Sequence, residues 1–319
     1  MSRLIYIFHQ LKHQLKPKHY FTGLTLLAAL LWLFVLAYPD DKLHLIFCDV
    51  GQGDAILISR RFNQVLIDGG PDESVLSCLS ENMPFWDRKI EIVALTHPQA
   101  DHLTGLLAVL ERYKVGYFLA GPEGNESAAF GGLKSKIENR KSKMKVINPY
   151  TGNKIKIGGI ILETLWPEKA WVLAELDITE IAGTTDTTDT TDSLILGAST
   201  SRDLNQFSLV FQLKFGDFDA LLAGDADGRI QDEILKSARI EPVEILKVPH
   251  HGSKYAFTEG FLEKVQPRLA IISVGKNSFG HPAGQTIQQL NNLAIKILRT
   301  DQEGTIKIVS DGEKWGIVQ

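Results

Sequence analysis

The chain has 319 residues, 44% of them hydrophobic and 23% charged, the balance of an ordinary globular protein with room for one large domain or two small ones. Its formal net charge of −4 hides an asymmetry: before Asp40 the only charged residues are Arg3, Lys12, Lys16 and Lys18, and setting those four aside leaves 30 basic residues against 38 acidic ones. So acidic a remainder excludes a general nucleic-acid coat protein.

Residues 1–20 read as a short basic N-terminus. Residues 21–38 carry no charge and are rich in Leu and Ala. As a helix they extend about 27 Å at about 1.5 Å per residue, enough to cross a hydrocarbon core. The run is long for a signal peptide and no small-x-small pair precedes Pro39, so a retained transmembrane helix is expected rather than a cleaved leader. A buried core helix is the other reading at this near-minimal length. With basic residues before the run and Asp40-Asp41 after it, the positive-inside rule expects a cytoplasmic N-terminus in a single-pass cell-membrane protein. Everything after Lys42 is then extracellular or periplasmic.

Leu43 to Val50 reads as a strand, Gly51-Gln52-Gly53-Asp54 as a tight turn and Ala55 to Ser59 as the partner strand. Cys48 reads as a small core residue; a disulfide with Cys78 suits an exported domain, but the spacing does not demand one. The next strand, Gln64 to Ile67, stops at Asp68-Gly69-Gly70, and the apolar run Ile90 to Leu95 opens into Thr96-His97-Pro98-Gln99-Ala100-Asp101-His102. Two imidazoles and a carboxylate on one short loop suit Zn²⁺ or Mn²⁺. An amphipathic helix from Leu103 to Tyr113 follows, its N-terminal dipole beside the loop.

Residues 134–145 hold Lys134, Lys136, Arg140, Lys141, Lys143 and Lys145 against the single acid Glu138. The run is a candidate phosphate contact, with Lys134, Lys136, Arg140 and Lys141 as the expected substrate-binding residues; a solvated helix face is the bland alternative. Lys154 to Leu165 reads as a hairpin. The triplet repeat from Thr184 to Asp192 has nothing to bury, so a disordered loop is expected over about 171–203. Ser208 to Leu213 and Phe218 to Leu222 form a second hairpin ending at Asp225. A helix from Arg229 to Ala238, a strand from Leu246 to Pro249 followed by His250-His251, a helix from Glu259 to Val265 and a strand from Leu269 to Val274 come next. The chain closes with a helix from Thr286 to Leu293 and strands at 296–299 and 304–309. Three acid or imidazole clusters, each at the end of a buried strand, point to a shared metal site.

These motifs carry a resemblance. His97, Gln99, Asp101 and His102 fall on the HxHxDH loop of the metallo-β-lactamase superfamily. Asp225 matches its metal-bridging carboxylate, His250 or His251 its late histidine ligand, and Asp68 its supporting strand-end aspartate. In order, FCDVGQGDA (47–55), LIDGG (66–70), THPQADH (96–102), NQFSL (205–209), LAGDA (222–226), KVPHHGS (247–253), GHP (280–282) and RTD (299–301) resemble the soluble hydrolase domain of ComEC-type DNA-internalisation proteins. The resemblance implies an α/β fold, an αββα sandwich over 43–319, preceded here by the transmembrane helix.

It also implies one or two divalent ions, Zn or Mn, on His97, Asp101, His102, Asp225 and His250 or His251, with Asp68 and Asp54 orienting ligands. Asp101, Ser253 and His281 are the candidate catalytic groups: Ser253 and His281 to bind phosphate or protonate a leaving oxygen. Asp54 as a plain turn residue and His281 as a loop cap are the alternatives. Gln99 stands where the family has a histidine, and no histidine lies between His102 and His250, with Asn205 or Ser208 near that place. One well-held ion and a weaker second position are therefore expected. The implied activity is a phosphodiesterase acting on DNA outside the membrane, with a membrane channel as partner. A hydrolase of small or cell-wall phosphodiesters and a degenerate, non-catalytic DNA-uptake module are the alternatives.

Overall fold

The computed structural model describes residues 17–36, 38–140, 143–176, 196–238 and 240–318. They fall into two units, within residues 1–40 and over 41–319. The first contains α1 (Pro17–Leu36), a 20-residue helix with Phe21, Leu24, Trp32 and Val35 exposed. Proline at its first position suits a helix start, and Pro39 disfavours its continuation, so it lies slightly upstream of the apolar run. Counted over described side chains alone, no helix is long and apolar enough to cross a membrane. Within α1 the side chains of Pro17, Lys18, Leu30, Phe34 and Leu36 lie outside the described residues, as do Arg3, Lys12 and Lys16 before it.

The second unit begins with β1 (Leu43–Phe47), β2 (Ile56–Arg60) and β3 (Asn63–Ile67), each antiparallel to the next. Helix α2 (Val75–Asn82) leads to β4 (Lys89–Leu95), parallel to β3; α3 (Ala100–Arg112) leads to β5 (Lys114–Ala120); and α4 (Ala128–Glu138) leads to β6 (Lys145–Ile147). The second sheet takes up β7 (Lys154–Ile157), β8 (Ile160–Trp166), β9 (Val210–Phe215) and β10 (Phe218–Leu222), with α5 (Lys169–Glu175) after β8. Helix α6 (Gly228–Ser237), β11 (Ile245–Lys247), α7 (Glu259–Val265), β12 (Leu269–Ile272), α8 (Gly284–Asn292) and β13 (Lys296–Arg299) then alternate. After a single turn, α9 (Thr300–Glu303), the hairpin β14 (Ile306–Ser310) and β15 (Trp315–Val318) returns to β1. The strand orders are β15-β14-β1-β2-β3-β4-β5-β6 and β13-β12-β11-β10-β9-β8-β7.

Side-chain alternation makes the layers. Leu43, Leu45 and Phe47 of β1 face Phe211, Leu213, Leu222, Ile245 and Ile271 in a core between the sheets. Ile46 and Cys48 turn the other way, beneath Val75, Leu79, Leu103, Leu106 and Leu133 of α2, α3 and α4. Leu221, Leu246 and Ala270 meet Ile230, Ile234, Phe261 and Leu290 of α6, α7 and α8. Helix, sheet, sheet and helix therefore enclose three apolar layers, the αββα sandwich expected.

Four expectations are corrected. Helix α3 starts at Ala100, so Asp101 and His102 lie in its first turn, not ahead of it. The two closing strands stand where expected, one in each sheet, whereas Val248 and Pro249 follow β11 rather than belonging to it. The Thr/Asp-rich loop is narrower than 171–203: residues 169–175 are helical and Ala198 bridges to Glu123, while 177–195, with the triplet repeat, lie outside the described residues. Cys48 and Cys78 are joined in a disulfide, which ties the strand carrying the Gly51–Asp54 turn to α2.

Candidate metal centre

The candidate groups leave the sheets at strand ends that face one another. Asp68 follows β3, His97 follows β4, Asp225 follows β10, and the His250-His251 pair follows β11. Local backbone bends turn these residues inward: Asp68, His250 and His251 have φ of 59°, 49° and 51°. Backbone contacts seat the first turn of α3. Asp54 N–H donates to the carbonyl of Asp101 (3.2 Å), Gly69 N–H to that of His102 (2.7 Å), and Gly105 N–H to that of Gly70 (3.0 Å). A Cβ on Gly105 would lie 1.9 Å from the carbonyl oxygen of Gly69, and one on Gly69 would lie 2.6 Å from the Leu106 nitrogen. Only glycine permits this approach.

Asp68 is buried and fully engaged. It accepts from the Thr96 N–H (2.7 Å), the Thr96 hydroxyl (2.8 Å) and His102 Nδ1 (2.8 Å). His251 Nδ1 donates to the Ser273 carbonyl (2.9 Å), and Thr96 Oγ1 lies 3.0 Å from His97 Nδ1. With Nδ1 engaged on each ring, the three Nε2 atoms are free to face inward. His102 Nε2 and His251 Nε2 lie 3.4 and 3.5 Å from Asp225 Oδ2 and 4.0 and 3.4 Å from Asp101 Oδ2. A tetrahedral ion with bonds near 2.1 Å has ligands about 3.4 Å apart. The Nε2 atoms of His97, His102 and His251 and both oxygens of Asp225 are buried without a hydrogen-bond partner. A pocket of orphaned imidazoles and carboxylates fits a divalent cation. His102 and His251 thus each lie between Asp101 and Asp225; the compact groups of three are Asp101, His102 and His251, then His97, His102 and Asp225, then Asp54, Asp225 and His251, and Asp54, Asp68 and His102.

The electrostatics agree. Burial resists ionisation of His102 and His251, yet Asp225 and the other carboxylates hold both imidazoles above the ordinary histidine value. Burial likewise opposes the carboxylate of Asp225, but His251, His102 and Lys247 pull it well below its ordinary value; His251 and His102 do the same for Asp101. His97, buried beside His102, is pushed down to about 3 and stays neutral. Positive charge is stabilised around Asp225 and Asp101, where His102 and His251 lie, and disfavoured at His97.

The sequence over residues 48–276 matches the family described as the metallo-beta-lactamase superfamily. The chain belongs to that superfamily. It is similar to ComE operon protein 3 of Bacillus subtilis (27% identity over 87% of this chain and 34% of the relative) and to Recombination protein 2 of Haemophilus influenzae (24%, 82% and 28%). Competence protein ComA of Neisseria gonorrhoeae is a third such relative (23%, 85% and 33%), so the chain spans about a third of the length of the relatives it matches. Among solved structures, the metallo-beta-lactamase fold protein YhfI of Bacillus subtilis superimposes with a TM-score of 0.50 at 11% identity, covering 84% of this chain and 100% of that one. That likeness concerns the fold alone.

As a metallo-beta-lactamase domain the chain has its own departures. Of the histidine pair, the metal set takes His251; His250 turns away, its Nδ1 3.1 Å from Asp227 Oδ2 and its Nε2 3.4 Å from Asn205 Nδ2. Ser208 Oγ accepts from the Asp225 N–H (2.9 Å), so neither residue near the missing histidine's place joins the metal sets among the described residues. Gln99 caps α3. Ser253 is buried and accepts from the Tyr255 N–H (3.3 Å), facing its own turn. His281 sits at the rim, half-buried, its ring 5.4 Å from that of His250. Lys134 and Lys136 lie on α4 and Lys136 pairs with Glu111; Arg140 follows the helix, and Lys141 lies outside the described residues.

One residue of the site, the first of the 247–253 motif, has a role that the motif does not announce. Lys247, at the end of β11, is 0% exposed and its ammonium pairs with Asp54, donates to the Gly224 carbonyl (2.9 Å) and lies 3.5 Å from Asp225 Oδ1. Burial would depress it, but Asp54 and Asp225 hold it above the ordinary lysine value. Asp54, whose Oδ1 is also 3.6 Å from His251 Nδ1, is therefore the counter-ion of a buried lysine rather than a simple turn aspartate.

Proposed function

We propose that the 43–319 domain is a metal-dependent phosphodiesterase that cleaves DNA at the outer face of a membrane during DNA uptake. The observation that carries the reading is the convergence of Asp101, His102, Asp225 and His251, with Nε2 of both imidazoles and both Asp225 oxygens buried and unpartnered. These four would hold a divalent ion, Zn or Mn, and such an ion makes water reactive near neutral pH and polarises a phosphoryl oxygen. His97 and Asp225 would hold a second, weaker one, because Gln99 brings a neutral carboxamide to the place of a ligand. Asp68 fixes the tautomer and orientation of His102, and Ser273 those of His251. His281 at the rim is placed to meet a leaving group.

The names of the relatives, two of which refer to competence or its operon and one to recombination, support DNA as the substrate. The Cys48–Cys78 disulfide favours an oxidising compartment. With the apolar run of α1 and the basic residues before it, it supports a single-pass anchor, a cytoplasmic N-terminus and a channel protein as partner. The basic run begun by Lys134 and Lys136 on α4 supplies phosphate contacts.

The acidic balance of residues beyond the anchor favours a second reading, hydrolysis of a small or cell-wall phosphodiester. Purified full-length protein, incubated with Mn²⁺ or Zn²⁺, a labelled DNA and bis-(4-nitrophenyl) phosphate, separates the two. Cleavage of DNA abolished by Asp225→Ala and His251→Ala is the expected result. Turnover of the small diester with DNA untouched supports the second reading. No turnover of either by metal-loaded protein leaves a non-catalytic module.

A further inference from the structure

Beside the metal pocket stands the loop from Gly275 to Ala283, of which the proposed hydrolysis uses His281 alone. Asn277 makes four hydrogen bonds within it: its Nδ2 donates to the carbonyls of Gly275 (2.9 Å) and His281 (2.8 Å), and its Oδ1 accepts from the N–H groups of Phe279 (3.0 Å) and His281 (3.1 Å). Both ends of the loop are fastened to the turns that carry the site. Gly275 N–H donates to Gln52 Oε1 (3.3 Å) in the Gly51–Asp54 turn, and Ala283 N–H donates to the Gly252 carbonyl (2.8 Å) beside His251. Pro282 packs so closely on Gly252 that a Cβ there would lie 2.7 Å from its ring.

At the tip, Phe279 is 73% exposed. A lone exposed apolar side chain is ordinary. This one is held by a fully engaged polar frame and stands in a row of rings running to the metal ligands. Its centroid is 5.8 Å from that of His281, His281 is 5.4 Å from His250, and His250 is 6.3 Å from His251. Exposed cations flank the row: Lys276 precedes Asn277, and Lys254 lies over the exposed ring of Tyr255, its ammonium 4.8 Å from the ring centroid, two residues beyond Gly252. A rigidly presented aromatic face, cations beside it and a phosphodiester-cleaving centre a few side chains away are the parts of a single-strand platform: backbone phosphates meet the lysines and a splayed base stacks on the ring. A duplex, whose bases are already stacked on one another, offers such a face only at its ends.

We infer that Phe279 is a stacking platform for an unpaired nucleobase next to the scissile phosphate, so that the enzyme acts on single-stranded nucleic acid. The inference rests on the nuclease reading and adds to it the form of the substrate. Full-length protein in EDTA is titrated against a fluorescein-labelled oligothymidine and an abasic strand of the same length, with anisotropy as the readout. Phe279→Ala is expected to weaken oligothymidine binding about ten-fold while moving the abasic strand far less, and Phe279→Trp is expected to retain the discrimination. With Mn²⁺, single-stranded oligothymidine is cleaved in preference to the duplex. If Phe279→Ala binds both strands as the unaltered chain does, while DNA is still cleaved, the platform is wrong and the nuclease reading stands. If the unaltered chain neither binds nor cleaves any strand but hydrolyses bis-(4-nitrophenyl) phosphate, both fall together.

Discussion

Replacing Lys247 with methionine is expected to be among the most destabilising single changes in the domain, and the loss is expected to be recoverable at a second position. The Lys247 ammonium is fully enclosed against Asp54, the Gly224 carbonyl and Asp225. Removing one member of a buried ion pair leaves the other charge without compensation, at a cost of about 3–5 kcal/mol. Methionine is similar in length, so packing loss adds little. In Lys247→Met/Asp54→Asn the stranded carboxylate is neutral, and the double variant should be more stable than Lys247→Met alone, with a coupling of about 2 kcal/mol or more. The assay is urea unfolding of the full-length chain in detergent and EDTA, followed by tryptophan fluorescence, comparing the two single variants and the double. Purely additive losses would refute the pairing of Lys247 with Asp54, as would a Lys247→Met midpoint equal to that of the unaltered chain.

Other expectations follow from the same geometry. Metal content after dialysis should fall to background in Asp225→Ala and His251→Ala and persist in His250→Ala; equal loss in all three would count against the choice of His251. Asp68→Asn, which breaks the support of His102, should weaken metal affinity about 10- to 100-fold in a chelator competition. Glu123 is 2% exposed, and burial pushes its carboxyl up to about 8 from an ordinary value of 4.5. Between those values the folded chain keeps a proton that the unfolded chain has lost, so stability declines as pH rises through the window, by on the order of 5 kcal/mol in total. Glu123→Gln should flatten the decline in unfolding midpoints measured from pH 5 to 9, and an unchanged slope would remove Glu123 as its source. Opening the Cys48–Cys78 bond, which closes a sequence separation of 30, by a double Cys→Ala change should cost about 3–4 kcal/mol in denaturant unfolding.

Much of the candidate site was legible because its acids and imidazoles follow apolar strands: an Asp or His at the end of Ile90 to Leu95 or of Ala220 to Gly224 interrupts a buried pattern and declares itself. The layered fold was implied by the motifs' resemblance to the superfamily. What stayed hidden depends on residues far apart in the chain. Lys247 ends a short strand like any flanking lysine, and its partner Asp54 stands in a Gly-rich turn near the other end of the domain. Choosing His251 over His250 needs the positive φ of both residues, which sends adjacent rings in different directions. Cys48 and Cys78 meet only because α2 lies over β1. Helix α3 begins three residues earlier than its apolar face suggests, since Asp101 and His102 are polar yet turn inward.

The glycine contacts beneath α3 have a mechanical consequence. With no side chain between the helix and the turns at Gly69 and Gly70, there is no soft layer to absorb displacement. A push on the far end of α3, from a partner or from the neighbouring α4, would travel through rigid backbone and shift Asp101 and His102 together. The candidate ligands on α3 are thus joined to the Asp68 turn by backbone alone, and their spacing from it changes only if main chain moves.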